Sequence, residues 1–274
     1  MTDKAAWQGQ VGDTWASEWI RTDRSFAALT ERLLAIAGAA PIGRALDVGC
    51  GAGELSLALA RGNPSAEIIG LDVSEALVER ARQRGAQLPN VAFECGDAAT
   101  WDRAGWHADL VISRHGVMFF DQPAAAFAHL AQVGGPGCRL VFSCFRSPAE
   151  NPWASDVVAL LPGGAPIAAG DPAVPGPFAF ADAVRVQQLL AEAGWGAICI
   201  DPVDFAFVVG SGPDPVADAM GYFARIGPAA RAAAALGDAE RSLFDQRLRR
   251  YLERHVSGSI VALSAAAWIV TARI

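Results

Sequence analysis

Hydrophobic residues in this chain gather in short runs, and several runs end on an acid. Ala45-Leu46-Asp47-Val48, Glu67-Ile68-Ile69-Gly70-Leu71-Asp72, Val91-Ala92-Phe93-Glu94-Cys95 and Ala108-Asp109-Leu110-Val111-Ile112-Ser113 are short and apolar, as strands of a covered sheet are. The pattern predicts strands near 44–48, 67–71, 91–95, 109–113 and 137–144, with helices near 53–61, 75–86 and 122–132. A further helix near 182–193 leads to strands near 197–209 and 265–273. This alternation predicts an α/β fold, a doubly wound and mostly parallel sheet covered on both faces. Ligands of such sheets bind beyond the carboxyl ends of the strands.

Three regions fall outside that frame. Residues 1–38 read as two helices, the first with Trp7, Trp15 and Trp19 and the second with Leu29, Leu33 and Leu34. Helical spacing makes these a packing face, and tryptophans so near the amino terminus also suit a lid over a ligand. Residues 146–180 hold seven prolines and few charges, with Trp153, Leu160, Leu161 and Phe178. They read as a long ordered loop beside a site. Residues 211–256 are alanine- and arginine-rich helices inserted before the last strand. The expected organisation is one domain over 1–274: a helical lid (1–38), a binding core (39–145), the Pro-rich insertion (146–180) and the remaining half of the sheet (181–274).

The candidate chemistry centres on Asp47-Val48-Gly49-Cys50-Gly51-Ala52-Gly53, after which Leu55, Leu57 and Leu59 begin a helix. Glycine at alternate positions opens backbone angles closed to other residues and lets a ligand lie on the main chain. The helix start offers free N–H groups and a positive dipole end. Phosphate and dinucleotide sites use the same device. Here Glu54 stands where the dinucleotide pattern has its third glycine, and Asp47 and Glu54 bracket the loop with negative charge. That suits a cation such as S-adenosylmethionine (SAM), which carries a sulfonium and an ammonium and no phosphate. Asp72, 25 residues after Asp47, is expected to accept the ribose hydroxyls, and the Gly96-Asp97 pair suits the adenine amino group. A helix N-cap is the plain alternative for each of these acids.

Net charge is −7 and the chain has a single lysine, Lys4, which argues against a nucleic-acid partner. Arg247, Arg249, Arg250 and Arg254 read as the solvated face of a helix whose other face is Phe244, Leu248, Tyr251 and Leu252. No stretch reaches the ~20 apolar residues of a membrane span, and from the polar start no signal peptide is expected. Five cysteines without CxxC or Cys/His spacing read as reduced core thiols, and a cytoplasmic location is expected.

These residues resemble the class I SAM-dependent methyltransferases, strongly over about 40–145, and among them bacterial enzymes related to quinone biosynthesis. Segments such as Ser113–Phe120, Pro175-Gly176-Pro177-Phe178 and Ala265-Ala266-Ala267-Trp268-Ile269-Val270 resemble a bacterial subgroup of that family. The resemblance implies a Rossmann-like, seven-stranded sheet, with S-adenosylhomocysteine as the product formed from SAM. It implies cofactor contacts at Asp47, Gly49, Gly51, Asp72, Val73, Asp97, Ala98 and Ser113, with Cys50 and Gly53 in the same loop. The subgroup usually has an aromatic residue where this chain has His115.

The expected reaction is methyl transfer to oxygen or carbon of a small, predominantly apolar acceptor. His115 is the candidate base, two residues after the fourth strand; a structural histidine is the competing reading. Trp15, Trp19, Met118, Phe119 and Trp153 are candidate acceptor contacts, with Phe120 beside them, although core packing explains the Phe pair as well. No hard-ligand cluster stands near the fourth strand, so no metal is expected. The DNA-modifying signatures are absent. Transfer to a small amine, a SAM-binding regulator or non-methylating protein, and a nucleotide-dependent oxidoreductase are the alternatives; Glu54 counts against the last.

Overall fold

The computed structural model describes residues 4–165, 167, 171 and 174–274. Its centre is one sheet: β1 (Arg44–Val48), β2 (Glu67–Asp72), β3 (Val91–Cys95), β4 (Leu110–Arg114), β5 (Arg139–Phe145), β6 (Gly196–Ser211), β7 (Val256–Ser257) and β8 (Ile260–Arg273). The order across the sheet is β3-β2-β1-β4-β5-β8-β6, with the two-residue β7 paired to β8 off the main path. β1 to β5 run parallel, and β8 lies antiparallel to both β5 and β6. The seven main strands form the doubly wound, mostly parallel sheet expected from the alternation. Residues 45–48 of β1 and 68–72 of β2 are buried throughout, because helices cover both faces.

The amino-terminal region differs from the expectation of two helices. It forms three, α1 (Lys4–Gln8), α2 (Gln10–Ser17) and α3 (Trp19–Ala37), so Trp7, Trp15 and Trp19 fall one to each. Helix α3 buries Phe26, Leu29, Leu33 and Ala37 at helical spacing against the core. Two more helices follow the strands of the first half, α4 (Glu54–Gly62) and α5 (Glu75–Gly85). Ser74 caps α5 by accepting from the Leu77 amide. Helix α6 (Pro123–Gly134) precedes β5.

The Pro-rich region is also more regular than a loop. Pro148 opens a 3-10 turn and Pro152 opens α7 (Pro152–Ala159), because proline at the first helical position loses no intrahelical bond. Pro166 and Pro172 lie outside the described residues. Buried Asn151 ties α7 to the sheet: its Nδ2 donates to Ala266 O (3.1 Å), and its Oδ1 accepts from Ala266 N (3.0 Å) and Trp153 Nε1 (3.0 Å). After α8 (Ala183–Glu192), the insertion before β8 forms α9 (Pro215–Phe223), α10 (Pro228–Ala233) and α11 (Asp238–Glu253). Helix α9 packs on β6 and α10 on α7, which brings the insertion to the β6–β8 side of the carboxyl ends. Among the described residues no helix is long and apolar enough to cross a membrane.

Candidate active site

Strand order reverses between β1 and β4, the place where an open α/β sheet leaves a crevice. There Ser113 closes the base of the crevice. Its hydroxyl donates to Val48 O (2.7 Å) and accepts from Gly116 N (3.1 Å), joining the β4 loop to the end of β1. The two loops touch through glycines: a Cβ on Gly49 would stand 2.7 Å from Gly116 Cα, and one on Gly116 only 2.5 Å from Val48 O. Above this floor opens a cavity of about 1120 Å³. Ligand pockets usually measure ~300–1,000 Å³, so the space exceeds what one small ligand fills.

Three carboxylates mark the β1–β3 end of the cavity, one at each strand end. Asp47 is 1% exposed and accepts from Ser56 Oγ (2.5 Å). Burial pushes its pKa up to about 6, against the lowering effects of Ser56 and Arg114. Asp72 accepts from Gly51 N and Ser74 N, each at 2.9 Å, while burial raises its pKa. A carboxylate has about four acceptor positions, so Asp72 retains capacity for hydroxyl donors. Asp97 accepts from Ala99 N (2.9 Å) and from the ammonium of Lys4 (2.7 Å), which ties α1 to the end of β3.

The sequence-named residues separate into two groups. Asp47, Gly49, Cys50, Gly51, Asp72, Val73, Asp97 and Ala98 line the cavity, as do His115, Trp15, Met118, Phe119, Phe120 and Trp153. Ser113, Gly53 and Trp19 do not. Ser113 is fully buried, with its hydroxyl spent on the β1–β4 joint. Gly53, at φ 86°, caps α4 and packs so closely that an added Cβ would meet the Phe93 ring at 2.9 Å. Trp19 packs beneath the Arg84 guanidinium, 3.9 Å from the ring centre. The charge attributed to Glu54 is also answered within the protein. Glu54 pairs with Arg114, which donates in addition to Thr30 Oγ1 (2.8 Å), so the negative field at the loop comes from Asp47 and Asp72.

Beyond the crevice the cavity becomes an aromatic chamber. His115 stacks on Phe145 (4.0 Å between centres, 19° between planes) and meets Phe26 edge-on at 5.3 Å. Trp153 lies 4.9 Å from Phe145 and 5.0 Å from Phe207. His115 holds a φ of 64°, rare for a residue with a side chain. Burial first, and then neighbouring Arg114, lower its pKa to about 3, so the imidazole is neutral at pH 7. Its Nδ1 sits 3.5 Å from Ser143 Oγ, and Nε2 is buried without a partner. Trp7 Nε1 is the other such atom among the described residues, in a ring packed edge-on against Trp15 (5.3 Å) and Phe119 (5.1 Å). Buried polar atoms without partners are uncommon and call for a ligand or another explanation.

Sequence reasoning missed the far wall, where Tyr222, Arg225, Ile226, Ala230 and Arg231 of the α9–α10 segment line the same cavity. No periodicity signals it, because these residues reach the site through the packing of an insertion. It also missed the role of Lys4. Among the described residues no group of three or more His, Cys, Asp or Glu side chains is placed to hold a metal ion.

The acid set fits SAM: carboxylates for a cation and a ribose diol, an open backbone at Gly51, and cations already paired at Lys4 and Arg114. Residues 45–137 match the methyltransferase domain family. The matched segment, about a third of the chain, runs from β1 through α6 and carries the acids at the strand ends. A trans-aconitate 2-methyltransferase of Methylobacterium radiotolerans is 36% identical over 146 residues, 48% of this chain and 49% of that protein. The chain thus spans about half the length of that curated relative. Phosphoethanolamine N-methyltransferase 2 of Haemonchus contortus in complex with SAM superposes with a TM-score of 0.57 at 13% identity, covering 95% of this chain and 56% of that one. The 4+2 cyclase SpnF gives 0.53 at 20% identity, covering 90% and 80%. At these identities the two solved structures show the fold.

Proposed function

We propose that this protein is a SAM-dependent methyltransferase acting on oxygen or carbon of a small acceptor with a largely apolar body. One observation carries the reading: a single cavity joins the acidic ends of β1, β2 and β3 to the aromatic chamber around His115 and Trp153. Bound SAM supplies a methyl group on a sulfonium, a leaving group that needs no further activation. Asp72 would hold the ribose hydroxyls, Asp97 the adenine amino group, and Asp47 would balance positive charge. The chain's remaining task is to orient the acceptor and exclude water, and such positioning is worth up to ~7–11 kcal/mol. Phe26, Phe145, Trp153 and Phe207 supply dry walls. His115 is a weak base with its pKa near 3, so the role its geometry supports is an orienting hydrogen bond from the neutral ring.

Calorimetry with SAM and S-adenosylhomocysteine tests the cofactor, with micromolar affinity expected, about −8 kcal/mol. No heat with either ligand removes the methyltransferase reading. A second reading, a SAM-binding protein that does not transfer the methyl, draws support from the cyclase that shares this fold. Release of S-adenosylhomocysteine in the presence of an acceptor separates the two.

A further inference from the structure

His115 stands where the β4 loop, the sheet and the cavity meet. Its amide donates to Ser143 O of β5 (3.2 Å), and Ser143 is the residue opposite Arg114 in the β4–β5 register. The ring stacks on Phe145, two residues further along β5, and Phe26 of α3 meets its edge at 5.3 Å. Backbone on one side and two phenyl rings on others fix its orientation. In that orientation Nδ1 turns to Ser143 Oγ at 3.5 Å. An imidazole points its two nitrogens to different sides, so Nε2 faces away from β5, in a residue that lines the cavity. Nε2 is buried and has no partner.

Which ring nitrogen carries the hydrogen follows from counting partners. A neutral imidazole has one N–H and one lone pair, and a serine hydroxyl has one hydrogen to donate. Ser143 is fully buried, and among the described residues its hydroxyl meets only His115 Nδ1. If Nδ1–H donated to Oγ, the hydroxyl hydrogen and the Nε2 lone pair would both lack partners. If Oγ–H donates to Nδ1, only the Nε2 hydrogen is left. Leaving a buried polar group unpaired is costly, so the arrangement with one orphan is favoured over that with two. Burial and neighbouring Arg114 keep the ring uncharged, so no second ring hydrogen enters the count. Phe26, at the ring's edge, offers the remaining N–H no lone pair.

We infer that Ser143 is a positioning residue that holds His115 as the Nε2–H tautomer, and that the acceptor presents a carbonyl or phenolate oxygen to this N–H. The word acceptor rests on the methyltransferase reading, while the tautomer and the preference for an oxygen stand on the pairing of His115 with Ser143. The hydrogen bond made by one ring nitrogen decides what the other can do. A nitrogen that already carries hydrogen cannot receive a proton from the acceptor, so His115 selects and orients it. A ligand that brings its own N–H or ammonium to this point meets the Nε2 hydrogen and is disfavoured.

Histidine-selective nitrogen-15 labelling of the full chain tests the tautomer. Proton–nitrogen correlations distinguish the two neutral forms and the imidazolium, and His115→Phe identifies the signal among the four histidines. The Nε2–H form is expected at pH 7. Ser143→Ala should lose that single form and show both, and Ser143→Thr, which keeps the hydroxyl, should retain it; thermal melts show that the variants are folded. Titration with 1-indanone, which only accepts hydrogen bonds, and with indane, which neither accepts nor donates, tests the ligand preference. The affinity ratio of 1-indanone to indane should fall about three- to tenfold in His115→Phe, the scale of one neutral hydrogen bond. Indole, which only donates, should show no such dependence. Should His115→Phe not fold, downfield movement of the Nε2 proton with 1-indanone and its absence with indane decide alone. An Nδ1–H or charged ring in the wild type, a tautomer indifferent to Ser143→Ala, no binding of 1-indanone, or a ratio untouched by His115→Phe overturns the inference. Failure to bind S-adenosylhomocysteine with the tautomer and the ketone preference intact would instead remove the methyltransferase reading and leave the oxygen site standing.

Discussion

Two glycines of the crevice are expected to fail in opposite ways when each receives one methyl group. Gly51 has φ 56° and lines the cavity, and a Cβ built on it meets nothing within 4 Å. In Gly51→Ala the left-handed angle costs about 1–2 kcal/mol. The less flexible unfolded chain returns about 0.4–1 kcal/mol. The net loss of stability is therefore about 0–1.6 kcal/mol. The methyl enters the space over the loop, and the overpacking scale of ~1–3 kcal/mol then falls on the ligand, about 5–150-fold in affinity. Gly116 has an ordinary φ of −71°, so alanine there carries no conformational penalty. Its Cβ would lie 2.5 Å from Val48 O and 2.8 Å from Gly49 Cα, both backbone. Relief requires the β1 and β4 loops to part, which also stretches the Ser113–Val48 hydrogen bond. Overpacking of ~1–3 kcal/mol plus ~1 kcal/mol for the bond gives a loss of about 2–4 kcal/mol. Urea denaturation and calorimetry with S-adenosylhomocysteine, run on both variants, measure the two quantities. Wild-type stability in Gly116→Ala, or wild-type affinity in Gly51→Ala, would refute this division between packing glycine and ligand glycine.

Three further outcomes follow from the charges. Ionised Asp47 favours a cationic ligand, so SAM binding should release a proton near pH 6 and weaken as pH falls below about 6, by up to about tenfold per unit; calorimetry in buffers of different ionisation enthalpy measures it. His115 has a folded pKa of about 3, below the ~6.5 of an unfolded histidine, so the unfolded state takes the proton first and stability should fall as pH drops from about 6.5 towards 3. Asp47 acts in the opposite sense between about 4 and 6, and the larger histidine shift wins. His115→Gln should flatten this acid limb in thermal melts, and an unchanged limb would show that the imidazole is not buried neutral. Activity should survive EDTA, because no hard-ligand cluster occurs among the described residues; loss reversed by Mg²⁺ would mean ligands were overlooked.

Much of the sheet was legible in the sequence, because strands buried on both faces must be apolar and must end at turn residues. The runs at 45–48, 67–72 and 91–95 became β1, β2 and β3 almost residue for residue. The loop glycines and the acids at the strand ends followed, since backbone conformation and strand polarity are local properties. Partners across the fold were not legible. Glu54 looked like an open charge until α3, α4 and β4 brought Arg114 against it. Ser113 and Gly53, expected as ligand contacts, lie outside the cavity lining, where one joins β1 to β4 and the other packs on Phe93.

What the sequence determined by itself, then, is the order of elements and the chemistry at the strand ends, where residue type and spacing act within a few positions. Tertiary structure alone decided that the α9–α10 segment walls the cavity with Arg225 and Arg231, that Lys4 reaches Asp97 across 93 positions, and that His115 is buried and uncharged. Pairing, desolvation and cavity shape depend on which surfaces meet, and residues far apart in the chain carry no local pattern that announces the meeting.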